Sequence, residues 1–450
     1  MKTFIAFLLF FPVGLWAQTP VDSRQRPLVI THVNVIPMDT ERVLADQTVV
    51  IEQGKIIAMG PQVRYGKNAL VIDGKGKYLI PGLAEMHAHV PPVDDLEPAK
   101  EVITLFAANG ITTIRGMLGH PRHLELRGML QRHEIIGPDL YTAGPSFNGM
   151  SITSPAAGAD QVRKQKAAGY DFLKLHPGLT REKFDTIART AKQVGIPFIG
   201  HVSSGVGIWH AIKSGYSSID HLDGFIEGLV PGIERMSDQQ IGLFGVFVAD
   251  QADTAKIPAL IQGLKTGNTW VVPTQSLAER WIAPGMTPEA FRAEAPTRYM
   301  KKETVDQWCE TKTNLAANPL YHPEAVMRYI KLRRRLILAC QQQGVGLLLG
   351  SDAPQVFNVP GFSAHQELEY LVRAGLTPYQ ALRTGTVNVA AYLHHADAGV
   401  VKAGNVADLV LLNGNPLTDI TQTRKIDGVM MHGYWLSRAY LDQALKKLEK

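Results

Sequence analysis

The sequence predicts an α/β fold joined to a smaller all-β part, and two patterns support this prediction. Between about residues 81 and 397, short apolar or β-branched runs alternate with amphipathic helical stretches, which is typical of repeated β-α units and a parallel sheet. Both chain ends instead consist of short strands separated by turns. Because the β-α units number eight, the sequence predicts a (β/α)8 TIM barrel with a small β-sandwich domain formed by both chain ends.

The first residues predict that the protein is exported. Met1-Lys2-Thr3 precede an apolar run from Phe4 to Trp16, and the small residue Ala17 follows where a signal peptidase would cut. This run is too short for a membrane span, and no cysteine lies near the junction. Residues 1–17 are therefore predicted to be a signal peptide that leaves no membrane anchor after cleavage. The expected location is periplasmic or secreted, and a buried N-terminal strand or helix is the alternative.

The chain ends are predicted to form one composite domain from residues 18–80 and 398–440. Neither end has enough strands to bury a hydrophobic face alone, so the two are expected to pair. The strand candidates are residues 28–30, 33–36, 48–51, 55–59, 69–72, 78–80, 407–412, 428–431 and 434–436. Residues 81–397 then form the barrel domain, and residues 441–450 form a helical tail.

The barrel prediction depends on eight apolar runs. They are residues 83–90, 112–117, 139–143, 172–176, 197–201, 217–221, 270–275 and 346–352. Amphipathic stretches at 160–168, 181–194 and 207–213 fill gaps between them. The longest gap, between His221 and Trp270, contains residues 241–248, which compete as an additional strand.

The composition is globular and limits the classes of function. Hydrophobic residues make up 45% of the chain and charged residues 19%, and the net charge is +5. The basic residues are scattered, except at 331–335 and at Lys446, Lys447 and Lys450. We expect these two groups to be solvated helix faces and not a nucleic-acid surface. Cys309 and Cys340 permit one disulfide but no thiolate zinc site, so a metal would need histidine and carboxylate ligands.

Polar residues end several of the predicted barrel strands. His87 and His89 are separated by one residue, so on a strand both imidazoles project from the same side and can reach one metal ion. Because the active site of a TIM barrel lies at the carboxyl ends of its strands, the remaining ligands are expected at later strand ends. Residues of suitable type stand there: Lys174 on strand four, His201 after strand five, His221 after strand six and Asp352 after strand eight.

The chain resembles the amidohydrolase superfamily of metal-dependent hydrolases from about Leu28 to Leu436. It is most similar to the prolidase-like and imidazolonepropionase-like members, with Glu85 where those often have Asp and Gly385-Thr386 where Ala-Thr is commoner. The matching motifs are Gly110-Ile111-Thr112-Thr113-Ile114-Arg115, Gly169-Tyr170-Asp171-Phe172-Leu173-Lys174, Gly350-Ser351-Asp352-Ala353, Ala374-Gly375-Leu376-Thr377-Pro378 and Gly404-Asn405-Val406-Ala407-Asp408.

The resemblance implies two divalent metal ions, with zinc the expected metal. The implied ligands are His87, His89, Lys174, His201, His221 and Asp352. The His87-His89 pair and Asp352 would hold the α metal, the two later histidines would hold the β metal, and Lys174, as N6-carboxylysine, would bridge both. Asp352 would take a proton from a metal-bridging water, whose hydroxide attacks the substrate, and return it to the leaving amine.

Several of these assignments have alternatives. The alternatives to a bridging role for Lys174 are a surface or ion-paired lysine and a non-ligating lysine beside a site that holds one metal ion. His176 shares its face and either contacts substrate or supports a neighbour by hydrogen bonding. Arg115 either orients substrate or forms an internal ion pair. Tyr141, His120 and His123 either line the pocket mouth or are ordinary loop residues. His365 is expected to be structural.

The predicted function is hydrolysis of an amide-type C–N bond in a small substrate, an N-acyl amino acid or a dipeptide, as a dipeptidase or prolidase-like enzyme. Rivals on the same site are hydrolysis of a cyclic amide or of an ester, and a rival of another class is a metal-stabilised binding protein without turnover. Phosphate-binding, dinucleotide-binding and Gly-x-Ser-x-Gly motifs are absent from the sequence. A small-molecule substrate is the expected partner, with no nucleic acid, and the sequence leaves homo-oligomer formation open.

Overall fold

The computed structural model describes residues 19–450. The predicted signal peptide lies outside these residues, so export stays a prediction from the sequence. The strands are β1 (Val21–Asp22), β2 (Leu28–Val35), β3 (Leu44–Glu52), β4 (Lys55–Gly60), β5 (Leu70–Asp73), β6 (Tyr78–Pro81), β7 (Leu83–Ala88), β8 (Ile111–Gly116), β9 (Asp139–Thr142), β10 (Leu173–Leu175), β11 (Phe198–Gly200), β12 (Ser218–Asp220), β13 (Trp270–Val272), β14 (Leu409–Leu412), β15 (Ile426–Met431) and β16 (Tyr434–Ser437).

Helices follow most of the barrel strands and close the chain. They are α1 (Glu97–Ala108), α2 (Pro121–Gln131), α3 (Pro155–Ala168), α4 (Arg181–Val194), α5 (Ile208–Lys213), α6 (Phe225–Leu229), α7 (Asp238–Ile241), α8 (Ile257–Thr266), α9 (Gln275–Leu277), α10 (Pro288–Arg292), α11 (Lys302–Ala316), α12 (Pro323–Gln343), α13 (Phe362–Arg373), α14 (Pro378–Thr384), α15 (Val387–Tyr392) and α16 (Arg438–Lys446). A π-helical turn spans Ala278–Ile282, and 3-10 turns span Ile233–Arg235, Leu243–Gly245, Ala249–Gln251, Thr254–Lys256, Ala295–Tyr299 and Ile420–Arg424.

The two chain ends form one mixed sheet, as their separate shortage of strands predicts. Its order is β1-β16-β15-β14-β6-β2-β3-β4, with β5 beside β2. The ends meet where β6 pairs antiparallel with β14, Pro81 opposite Leu409. Side chains from both ends, among them Leu28 and Met430, share one buried hydrophobic cluster. The strands therefore form one continuous sheet around a common core.

The barrel is built from two parallel sheets and one irregular segment. Strands β7, β8 and β9 form the first sheet and β10 to β13 the second, and an Ala143–Phe172 bridge joins them. Residues 346–353 take the place of the eighth strand without regular strand geometry. The Leu348 N–H donates to the Val271 carbonyl at 2.9 Å and the Met86 N–H donates to the Leu349 carbonyl at 2.7 Å. This segment thus connects β13 with β7, and the (β/α)8 prediction is confirmed.

The long gap between β12 and β13 contains helical turns and no additional strand. Within residues 241–248, α7 ends and the 3-10 turn Leu243–Gly245 follows. Gly242 and Gly245 have φ of 72° and 77°, and Phe244 has φ of 54°. These left-handed positions interrupt an extended chain, so the alternative of a strand at 241–248 was wrong.

The basic run at residues 331–335 is not simply a solvated helix face. On α12, Lys331 and Arg335 are exposed, but Arg333 is 0% exposed and Arg334 pairs with Glu279 at 2.7 Å. Arg333 tolerates burial because three of its N–H groups donate to carbonyl and amide oxygens near the ends of two barrel strands. The sequence prediction was wrong for this residue.

Two further expectations concern covalent links and membranes. Cys309 and Cys340 are both free thiols, so the disulfide that the sequence permits does not form. Among residues 19–450, none of the helices combines the length and the apolar character that crossing a membrane requires.

Candidate metal centre

The ends of the first and eighth barrel segments bring three potential ligands together. His89 Nε2 lies 2.6 Å from Asp352 Oδ1, and His87 Nε2 lies 3.1 Å from the same oxygen. One ligand atom from each of these residues lies within 4.8 Å of the other two. Backbone pairing holds this geometry, because the Asp352 N–H donates to the His87 carbonyl at 3.0 Å. His87 and Asp352 are buried, and His89 is partly exposed.

His201 and His221 extend the cluster from the next strand ends. The His221 ring centroid lies 4.5 Å from that of His87 and 4.6 Å from that of His201. Each imidazole is oriented through Nδ1: His201 by Asp223 Oδ2 at 2.9 Å and His221 by Thr274 Oγ1 at 2.8 Å. Burial lowers the pKa of both imidazoles. They are therefore neutral at pH 7, the state in which an imidazole binds metal.

Lys174 and Asp220 form a buried ion pair beneath these histidines. Lys174 Nζ donates to Asp220 Oδ2 at 3.1 Å, and both side chains are 0% exposed. Burial lowers the pKa of Lys174, although the charge of Asp220 opposes this. Asp220 also lies 3.3 Å from His87 Nδ1 and accepts from Arg115 at 3.3 Å. Burial by itself would raise the pKa of Asp220, but the Lys174 and His87 charges hold it well below its usual range.

A cavity of about 760 Å³ opens beside His201. Its walls come from the loop after β11 and from the insertion after β12, including Asp223 and Phe244. Phe244 stacks on His221 with ring centroids 5.0 Å apart, so the insertion packs directly on the cluster. A cavity of this size accommodates a small-molecule substrate with one end at the metal centre.

Comparison with known proteins agrees with this arrangement. Residues 78–436 match the model of the Amidohydrolase family. The chain belongs to the amidohydrolase family. In this usually metal-dependent family, His87, His89 and Asp352 are candidate metal ligands.

Individual relatives of this amidohydrolase are distant. Adenine deaminase 1 from Jannaschia sp. (strain CCS1) is 27% identical over 215 residues, 43% of this chain and 35% of that protein. The chain spans between about a quarter and about a third of the length of the curated relatives it matches. A putative prolidase from Bifidobacterium longum has a TM-score of 0.67 and 22% identity, with coverage of 94% and 99%. A Xaa-Pro dipeptidase with bound methionine has a TM-score of 0.66 and 18% identity, with coverage of 91% and 100%.

The donors of this amidohydrolase fit divalent metal ions. Imidazole and carboxylate are the ligands that zinc takes when thiolates are absent, and the cluster offers four imidazoles and Asp352. His87 Nδ1 is a buried nitrogen without a hydrogen-bond partner among the described residues, although Asp220 faces it. Such a carboxylate behind a ligating histidine is common at metal sites and fixes the imidazole.

The remaining predicted site residues have different surroundings. His176 stacks on His201 with centroids 4.9 Å apart, and burial together with the Lys174 charge lowers its pKa to about 2. Its Nδ1 is buried without a partner in the described chain, so His176 lies at the cluster and is neutral.

Arg115 and Tyr141 do not line the cavity. The fully buried Arg115 donates to the Met86 carbonyl at 2.8 Å, to Ser218 Oγ at 3.0 Å and to Asp220, which is the internal ion pair named as its alternative. The Tyr141 hydroxyl bonds His395 Nε2 at 2.9 Å. A substrate role for either residue is not favoured, because internal partners occupy their polar atoms.

Three other histidines have structural roles in the described chain. His120 and His123 form the capping box at the start of α2. His365 bonds the Asn109 carbonyl and Thr423 Oγ1, each at 3.1 Å. These contacts use the ring nitrogens locally, as expected for residues outside the metal centre.

Sequence reasoning missed Asp220 and Asp223 as parts of the site. Asp220 precedes His221, and strict strand alternation would point the two side chains in opposite directions. His221 instead has φ of 64°, which ends the strand and turns both side chains toward the cluster. The sequence does contain a signal for them, because Asp220 and Asp223 flank the predicted ligand His221 at the end of an apolar strand.

Proposed function

We propose that this protein hydrolyses an amide-type C–N bond in a small substrate, an N-acyl amino acid or a dipeptide. The observation that carries the proposal is the position of Asp352, whose Oδ1 lies within 3.1 Å of both His87 Nε2 and His89 Nε2 at the barrel's carboxyl end. The prolidase and dipeptidase named among the similar structures support an amino-acid-derived substrate.

The finer proposal assigns two divalent ions to the centre. His87, His89 and Asp352 would hold one ion, His201 and His221 the second, and carboxylated Lys174 would serve both. Bound ions of this kind polarise a substrate carbonyl and lower the pKa of water from about 15.7 to about 7. Lys174 is suited to carboxylation because burial lowers its pKa and so favours the uncharged amine.

The chain's own residues then move the proton. Burial raises the pKa of Asp352, but the surrounding imidazoles outweigh this and hold it well below its usual range, so Asp352 is a carboxylate at neutral pH. In that form it accepts a proton from the attacking water and returns it to the leaving nitrogen. His201 and His221 are held in place by Asp223 and Thr274 during both transfers.

The test is replacement of Asp352 by Asn in the zinc-loaded protein. We expect turnover to fall by about 10²-fold or more, because a general acid–base group is lost. The measurement is a hydrolysis screen over N-acyl amino acids, dipeptides, lactams, aryl esters and adenine.

The matched control for that screen is Asp442→Asn on the exposed face of α16. Circular dichroism and the thermal midpoint show whether each variant is folded. Unchanged turnover in folded Asp352→Asn would exclude the proton-transfer role. Absence of hydrolysis across the whole panel by the zinc-loaded wild type would contradict the proposed function itself.

A further inference from the structure

The cavity beside His201 presents large apolar side chains to its open space. They come from α5 and from the insertion between β12 and β13. Trp209 is 38% exposed, and Ile233, Met236 and Leu243 are half-buried. Several large apolar side chains that remain accessible in one concave wall are typical of a binding site for an apolar ligand.

The Trp209 ring is held in place without any ligand. Its Nε1 donates to the Gly228 carbonyl at 3.1 Å, which satisfies the one polar atom of the indole. A Cβ at Gly228 would lie 2.3 Å from Ile208 Cγ2, so the glycine allows the close approach of α6 to α5 that makes this bond. The exposed part of the ring is therefore a fixed apolar surface, against which a ligand loses water-exposed area.

Phe244 forms the end of the cavity at the metal centre. Its ring centroid lies 5.0 Å from that of His221 and 6.2 Å from that of His201. Phe244 has φ of 54°, a conformation that glycine adopts freely and phenylalanine adopts at a cost. The apolar wall thus begins at two candidate metal ligands, and a group in the cavity is continuous with a group at the metal centre.

The buried acidic residues of the wall already have partners in the protein. Asp223 Oδ2 lies 2.9 Å from His201 Nδ1. The Glu227 carboxyl group interacts with the Gly224 N–H and with the charge of Arg333. These groups need no donor from a ligand, so the accessible apolar side chains are the part of the wall that a ligand would cover.

The charge of the wall indicates which half of an N-acyl amino acid it accepts. Carboxyl side chains outnumber the one guanidinium among the described lining residues, which include Arg181, Asp223, Glu227, Glu234 and Asp238. A wall of this sign disfavours the free carboxylate of the amino-acid half. The acyl half carries no charge and is therefore the half that fits.

The size of the cavity indicates how large this acyl group is. A volume of about 760 Å³ lies in the range of clefts that enclose drug-sized ligands, which is far more than an acetyl group requires. We infer that the cavity binds a long alkyl acyl chain of an N-acyl amino acid, and that Trp209 and Leu243 select the chain. The inference rests on the proposed function in taking the amide to lie at the metal centre, and it names a substrate class for that site.

The first test is a binding measurement with two neutral probes, N-butylurea and N-octylurea, which differ by four methylene groups. Each methylene group buried in the wall should tighten binding by about 4-fold, so calorimetric titration of the zinc-loaded protein should give about 10²-fold tighter binding of N-octylurea. In Leu243→Asp the ratio should fall to about 10 or less, because a carboxylate would face the alkyl chain. The matched control Leu320→Asp, at a leucine that is 45% exposed outside the cavity, should keep the ratio.

Trp209→Ser is a second variant, because Trp209 lies on an exposed helix face and its loss is less disruptive than a charge in the insertion. It should also lower the ratio, and circular dichroism shows whether each variant is folded. Equal affinity of the wild type for both ureas would overturn the inference. A wild-type ratio in both folded variants would place the alkyl chain elsewhere and would overturn it as well.

The second test compares hydrolysis of N-octanoylglycine and N-acetylglycine by the zinc-loaded protein. We expect a kcat/KM ratio of about 10 or more in favour of the octanoyl compound, falling toward 1 in Leu243→Asp. If both are hydrolysed with equal kcat/KM, the inference fails and the proposed function stands. If no amide is hydrolysed but the ureas still differ, the proposed function fails while the alkyl-binding cavity stands.

Size-exclusion chromatography distinguishes a second copy of the chain as the occupant of this wall. The inference expects Trp209→Ser to elute at the wild-type position, because the apolar wall binds substrate. A wild-type dimer that becomes a monomer in Trp209→Ser would show that the wall is covered by another copy, and would overturn the inference.

Discussion

At the scale of single residues, the proposed metal centre depends on the state of Lys174 and its partner Asp220. Both are fully buried, and the lysine nitrogen lies 3.1 Å from the carboxylate. A lysine in this position is an ammonium paired with Asp220 or, after reaction of its neutral form with carbon dioxide, an anionic ligand. Burial favours the neutral form and the Asp220 charge favours the ammonium. In the proposed centre, the balance of these two effects would decide whether one ion or two ions bind.

Replacement of Lys174 by Ala should lower the metal content from about two zinc ions per chain to about one, because a carboxylated lysine would ligate both. The measurement is elemental analysis of protein prepared with excess zinc and bicarbonate. Lys265→Ala, an exposed lysine of α8, is the control and should keep the wild-type content. A wild type with one ion, unchanged by Lys174→Ala, would exclude the bridging role and leave the ion-paired lysine.

At the scale of elements, the ends of β12 and β13 depend on a residue of α12. Arg333 donates to the His221 carbonyl at 2.6 Å, to the Pro273 carbonyl at 2.8 Å and to Gln275 Oε1 at 3.0 Å. His221 and Thr274 both have positive φ, of 64° and 44°. Such backbone costs about 1–3 kcal/mol per residue and persists where the surroundings fix it. Arg333 is the cation that fixes both strand ends.

Replacement of Arg333 by Met should destabilise the fold by about 3 kcal/mol, because buried carbonyl groups lose their donor. Since one of those carbonyls belongs to His221, zinc affinity should fall as well. The measurements are the thermal midpoint and a competitive zinc titration. Arg335→Met, an exposed arginine on the same helix, should change neither. Wild-type values of both quantities in Arg333→Met would contradict this view of α12.

At the scale of the whole molecule, the sheet of the chain ends makes the fold depend on both termini. β6 pairs with β14, and the hydrophobic cluster contains Leu28 from one end and Leu411 and Met430 from the other. Removal of β14 to β16 would leave β6 without a neighbour on one side and open this cluster to water. The barrel begins two residues after β6 and is therefore directly coupled to this sheet.

A chain that stops at Asp397 should be insoluble or unfolded, because it lacks the strands that complete the sheet. Removal of only residues 447–450 should be tolerated, since that segment contributes surface ion pairs such as Lys450 with Glu101, which stabilise proteins little. Solubility, circular dichroism and thermal unfolding of the two truncated proteins provide the comparison. A folded, soluble 1–397 chain would show that the barrel does not need the sheet.

The order of elements followed from the sequence alone. Apolar runs alternating with amphipathic segments gave the barrel, and the position of His87, His89, His201, His221 and Asp352 at the ends of those runs gave the cluster that the structure brings together. This prediction succeeded because the carboxyl ends of the parallel strands lie at one face of the barrel. A residue that follows a strand in the sequence is therefore expected at that face. A different argument joined the two ends of the chain in one sheet, because neither end alone has enough strands to bury a hydrophobic face.

Tertiary structure alone decided the partners of these residues. Left-handed turns at His221 and Asp352 redirect side chains that strand alternation would separate, which brings Asp220 to Lys174. Arg333 looked like part of an exposed basic run, and only the packing of α12 on the barrel buries it. Residue type and order predicted the candidate metal ligands, whereas contacts between segments distant in the chain determined their charge partners and the cavity.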